Sequence, residues 1–127
     1  MNSRIKLAFI LVGLLSSLPA SACSQLESSS DRLTCQKAAE EESKSKMQKV
    51  YSELYGYLSD IDEYQIQITR SQELWNQAAA QNCNVYAYFV EEGTMVHNIT
   101  VRECMTEEYK NREKFLTHLR TVIDQFY

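Results

Sequence analysis

The chain has 127 residues, with 13 Lys and Arg against 17 Asp and Glu, a formal charge of −4, four Cys, three Gly and one Pro. The acidic balance disfavours nucleic acid and anionic membranes as partners, because both repel it. So few glycines and prolines argue against an all-β domain built on tight turns, and helix formers dominate instead.

The first 22 residues read as a secretory signal. Arg4 and Lys6 give a positive start, Leu7 to Leu15 (LAFILVGLL) an apolar core, and Ala20-Ser21-Ala22 an A-x-A cleavage site after the helix-breaking Pro19. The apolar run is far short of the ~18–20 residues that cross a bilayer, and no second run follows, so no membrane span is expected. Cleavage after Ala22 leaves Cys23 to Tyr127 as one domain with a modest core. The signal removes two basic residues and no acidic one, so 11 basic residues then face 17 acidic ones. That balance suits a basic partner. The expected location is the periplasm or the exterior. A lipoprotein anchored through Cys23 is the alternative; a lipobox prefers Leu at the third position before the cysteine, and here that residue is Ala20.

Helix one is expected from a cap at Ser30 or Asp31 to about Leu58. Its apolar stripe is Ala39, Met47, Val50, Tyr51, Leu54 and Leu58, and Glu40–Lys44 and Glu42–Lys46 stand in the favourable i,i+4 order. Ser59-Asp60 breaks it, and Asp60 with Glu63 resembles the start of helix two. Helix two carries Ile61, Tyr64, Ile68, Trp75 and Ala79 on one face and reaches about Cys83. The segment 84–99 admits two readings: a continuation of helix two through Phe89, or an extended VYAYFV. Thr100 with Glu103 is a capping-box signature for helix three, whose stripe is Met105, Tyr109, Phe115, Leu116, Leu119, Val122 and Phe126. The fold class is therefore all-α: an antiparallel helical hairpin plus a third helix, clamped by two disulfides.

The hairpin suggests how the cysteines pair. Cys35 lies as far before the turn near residues 59–60 as Cys83 lies after it, so both reach the same end. The first choice is Cys35–Cys83 with Cys23–Cys104, a closure worth ~4 kcal/mol in the chain-entropy model. The other pairing, Cys23–Cys35 with Cys83–Cys104, stays open. A metal site from Cys83, His97 and Cys104 lacks the close C-x-x-C spacing of zinc sites.

No catalytic constellation emerges. There is no G-x-S-x-G motif and no phosphate-binding glycine loop, and the acidic pairs Glu91-Glu92 and Asp60/Asp62 read as solvated turns. Neither an enzyme nor a cofactor is expected. Trp75 reads as core before hot spot. Tyrosines 51, 55, 57 and 64 gather near the hairpin turn, with 86 and 88 further on, and exposed tyrosines favour recognition. The stretch 84–103, flanked by Cys83 and Cys104, is either a structural crossover or a constrained binding loop. Its candidate partner contacts are Glu91, Glu92, Thr94 and His97.

An ordered set of residues resembles the LprI-type lysozyme-inhibitor family of small exported four-cysteine domains. It comprises Cys23 and Cys35; Tyr51, Leu54 and Leu58; Gln72, Trp75 and Cys83; Gly93-Thr94-Met95; and Cys104, Arg112 and Leu116. The resemblance implies a bacterial origin, which would leave the sequon Asn98-Ile99-Thr100 idle, and a basic lysozyme-type hydrolase as partner. Two positions depart from the family pattern: Ala79 replaces its usual Arg and Tyr109 its usual Thr. They make the chain a divergent member and favour the alternative function, an accessory or immunity protein with no lysozyme activity.

Overall fold

The structure, a computed structural model, describes residues 20–127; the signal's charged start and apolar core lie outside the described residues. A short 3₁₀ helix (Ala20–Gln25) precedes three long helices, α1 (Ser29–Tyr57), α2 (Asp62–Tyr86) and α3 (Met95–Ile123). No strand occurs among the described residues, as the all-α reading expects.

The helix ends differ from expectation for local reasons. Ser28 caps α1, its hydroxyl accepting from the Asp31 N–H at 3.4 Å, so the helix starts before the expected cap. Asp60 does not cap α2; its carboxylate accepts from the Tyr127 hydroxyl at 2.8 Å, and the N-cap position falls to Ile61, which has no side-chain bond to give. α2 runs past Cys83 to Tyr86, so 84–86 is helical, not extended. α3 starts well before Thr100. Thr94 is its cap, accepting from the His97 N–H at 3.1 Å, and the Thr100 hydroxyl donates back to the Val96 carbonyl at 2.9 Å. Gly93 makes this earlier start possible: its φ of +80° suits glycine alone without strain. Glu103, expected to close a capping box, instead accepts from Gln36 across to α1.

The helices form an up-down-up bundle. Gln36 meets Glu103, Glu40 pairs with Arg102, and the Arg120 guanidinium lies over the Tyr57 ring, so α1 and α3 run parallel. Bonds from Tyr51 to Thr69 and from Gln72 to Met47 set α2 antiparallel to α1; Asn82–Glu108 and Arg112–Gln72 set it antiparallel to α3. The backbones of α1 and α3 approach most closely. The buried side chains between them include Ser43 and Thr106, whose hydroxyls bond back to Ala39 and Arg102 of their own helices. α2 stands further off α1. Glu42–Lys46 forms at 2.6 Å as expected, whereas Glu40 turns to Arg102 and not to Lys44.

Both disulfides are present, but the favoured pairing is corrected: the bonds are Cys23–Cys35 and Cys83–Cys104, with Cα separations of 5.6 and 5.5 Å. The hairpin argument places Cys35 and Cys83 at the same end. It fails because α1 and α2 almost nowhere approach closely, while a disulfide needs Cα atoms within ~7 Å. The 3₁₀ helix folds back on α1 and brings Cys23 to Cys35. The earlier start of α3 lifts Cys104 level with Cys83. Cys23 is buried and its sulfur is bonded to Cys35, so in this state it has no thiol to carry a lipid.

The core is Met47, Leu54, Ile68, Tyr109 and Leu116, with Val50, Tyr51, Tyr64, Trp75, Met105, Leu119 and Ile123 packed against it. Burying each large aliphatic side chain is worth ~1.5–3 kcal/mol. Trp75 belongs to this core. Phe115 and Phe126, expected on the inner stripe of helix three, are exposed.

Candidate functional site

The connection from α2 to α3 is the most unusual surface of the molecule. The Ala87 N–H bonds to the Cys83 carbonyl at 3.0 Å and the Val90 N–H to the Ala87 carbonyl at 2.9 Å, so the chain coils tightly past the end of α2. Ala87 and Cys83 are buried and hold this turn down. The flanking side chains point outward. Val85, Tyr86, Tyr88, Phe89, Met95 and Val96 are all exposed, Phe89 at 97 %. The Tyr88 and Phe89 rings meet edge to face, 5.2 Å between centroids. Exposed apolar groups gathered beside charged residues mark interaction surfaces, and aromatic anchors supply most of the energy where such surfaces bind. The Cys83–Cys104 bond ties the base of this tip to α3.

The four candidate contacts all fall in or beside this tip, in different roles. Glu91 and Glu92 are exposed and form an acidic rim. Thr94 is committed to the fold: its hydroxyl donates to the Glu91 carbonyl at 2.7 Å and accepts from the His97 N–H. His97 is half-buried in the first turn of α3. Of this patch the sequence marks Tyr86 and Tyr88 for recognition but not Val85 or Phe89. Their signal was the run VYAYFV, too apolar for a solvated loop and interrupted by one small residue, Ala87, that faces inward.

A second cluster lies inside the bundle. Arg112 of α3 is 7 % exposed. Its Nε donates to Gln72 Oε1 and one terminal nitrogen to Ser71 Oγ, both at 3.0 Å. The guanidinium carbon sits 5.6 Å from the Trp75 ring centroid and 4.9 Å from that of Phe115. Gln72 passes the chain on, donating to Met47 Sδ of α1 at 3.1 Å. Gln72, Trp75 and Arg112, three of the residues that carry the family resemblance, thus meet as one unit joining all three helices. No carboxylate pairs with Arg112 among the described residues, and burial pulls its pKa below the ordinary arginine value. This cluster is packed and inward-facing, so its role is structural. Of the two departures, Ala79 is fully buried, and Tyr109 is buried with its ring 5.7 Å from that of Trp75.

The surface offers aromatic area and acidic charge. Cys83 and Cys104, two of the three residues of the metal reading, are bonded to each other. No helix among the described residues is long and apolar enough to cross a membrane. The chain matches no protein-family model, no curated protein and no solved structure.

Proposed function

We propose that this chain is an exported, non-catalytic binding protein that occludes a basic cell-wall hydrolase of the lysozyme class. The observation that carries this reading is the bare aromatic tip on a disulfide-anchored turn, which the fold itself does not need. A turn fixed in this way loses little conformational freedom on docking. The acidic surface favours encounter with a basic enzyme, and the resemblance supplies the lysozyme class. Two disulfides fit an oxidising compartment outside the cytosol, and periplasmic or released protein is part of the proposal.

A turbidity assay of lysozyme on cell walls tests it. The protein should inhibit, less so at high salt, and Phe89→Ser should weaken inhibition at least tenfold while leaving the thermal midpoint unchanged. Full lysozyme activity at a large molar excess would dismiss the reading. The departures at Ala79 and Tyr109 favour a second reading, in which the same tip docks an accessory or toxin partner. Recovery of a non-hydrolase protein from periplasmic extract, lost with Phe89→Ser, would select it.

A further inference from the structure

Beside the tip lies a cleft of about 370 Å³, bounded by Gln36 of α1, Tyr86 of α2 and Glu103, Cys104, Glu107 and Glu108 of α3. Gln36 is 1 % exposed. Its amide nitrogen donates to Glu103 Oε1 at 3.2 Å, which fixes the orientation of the amide. That leaves Oε1 buried with no hydrogen-bond donor. Buried acceptors are rarely left so, because each unmade bond costs ~1–3 kcal/mol.

The charges around it point the same way. Glu107 is engaged by Lys110 at 2.9 Å and Glu108 accepts from Asn82 at 2.9 Å. Glu103 receives only the neutral Gln36 amide and has no cationic partner among the described residues. Ser24 and the neutral amide of Asn111 complete the lining; a fitting ligand therefore brings donors for Gln36 and Glu103, carries positive charge, and has a flat face to lie against the exposed Tyr86 ring. An ammonium meets the first two demands. A guanidinium meets all three, with five donors in a planar fork that stacks on aromatic rings.

We infer that this cleft is a socket for a guanidinium group, filled by an arginine side chain of the basic protein that the tip engages. The inference rests on the proposed function for the source of the arginine, and on the cleft alone for its chemistry. Tyr86 belongs to both surfaces, so a partner seated on the tip can reach the socket.

The test is an NMR titration of the disulfide-bonded protein with N-acetyl-arginine amide, beside the lysine and norleucine analogues. The expected result is a set of shifts at Gln36, Tyr86 and Glu103 with the arginine probe in the millimolar range. Binding should be at least fivefold weaker for lysine and absent for norleucine. Gln36→Leu should weaken it at least fivefold; Glu108→Gln, at the half-buried rim, should weaken it twofold or more and serves if Gln36→Leu does not fold. Equal binding of lysine, or no shift at these residues, overturns the socket. A second arm measures hydrolase inhibition. Inhibition unaffected by Gln36→Leu or Glu108→Gln overturns the socket and leaves the inhibitor reading standing. Gln36-dependent arginine binding without inhibition upholds the guanidinium chemistry and removes the inhibitor reading, leaving the second reading's partner as the source of the arginine.

Discussion

Arg112 presents a buried cation held by neutral acceptors alone, and that arrangement can be tested by removing it in two steps. Gln72→Leu deletes the acceptor 3.0 Å from Arg112 Nε and leaves the guanidinium buried with Ser71 as its only remaining side-chain acceptor. A hydrogen bond to a charged group is worth ~1.5–3 kcal/mol, and a stranded buried partner costs the full desolvation. The expected loss is about 2–3 kcal/mol, a fall in the thermal midpoint on the order of 10 °C or more for a domain of this size. Arg112→Met forfeits both bonds and two ring contacts of ~0.5–1 kcal/mol each, but it also relieves the burial of an unpaired charge. Its net cost should be about 1–2 kcal/mol. The double variant should then be no worse than Arg112→Met alone, and more stable than Gln72→Leu alone. Urea unfolding followed by circular dichroism, under non-reducing conditions, gives all four free energies. If the two losses simply add to within about 0.5 kcal/mol, the residues are independent and the account of a glutamine satisfying a buried cation is wrong.

Non-reducing peptide mapping should recover Cys23 linked to Cys35 and Cys83 linked to Cys104, and replacing both members of either pair by Ser should cost ~3 kcal/mol; a Cys35–Cys83 peptide would refute the packing of α2 described above. Ala79→Arg, which restores the residue usual in the resembled family, puts a charge where the side chain is fully buried; it should destabilise by several kcal/mol, and a wild-type melting curve would show that α2 can yield there. Burial raises the pKa of Tyr64, and burial aided by Glu40 and Glu41 raises that of Tyr109. Both contributions to stability are fully present below the unfolded tyrosine value near ~10 and are lost as pH rises through the higher folded values, so thermal midpoints should fall above pH ~10, and less steeply in Tyr109→Phe. The Tyr64 hydroxyl is buried without a partner, so Tyr64→Phe at neutral pH should be neutral or stabilising by up to ~1 kcal/mol; a clear loss would reveal a missed bond.

Much of the fold was legible because it depends on the 3.6-residue period. The inward faces at Met47, Leu54, Ile68 and Leu116 follow from spacing alone. Which helices lie closest does not, because it turns on side-chain size between particular pairs. α1 and α3 pack closest, and the fold-back of the 3₁₀ helix onto α1 gives Cys23 its partner. The start of α3 was misplaced because two threonines compete as caps, and the backbone conformation of Gly93, not a side-chain motif, settles it. The candidate site was found as a segment but not as a surface. Of its polar residues Thr94 is spent on capping, and the outward turn of Tyr88 and Phe89 depends on Ala87 facing in. The socket was illegible, since Gln36 and Glu103 lie 67 positions apart and meet only through the parallel packing of α1 and α3.

Both sulfur bridges sit at the end where α1 begins and α2 finishes, Cys23–Cys35 tying the 3₁₀ helix to α1 and Cys83–Cys104 tying α2 to α3; the opposite end is joined by the α1–α2 turn and by contacts such as Tyr127 with Asp60 and Arg120 with Tyr57. α2 and α3 are therefore stapled as a pair, while α1 is held to that pair by the turn at the far end and by packing. Amide exchange should run fastest around residues 57–62 and the last turn of α3, and slow toward the bridged end. The end that carries the aromatic tip would keep its shape even while the far end breathes.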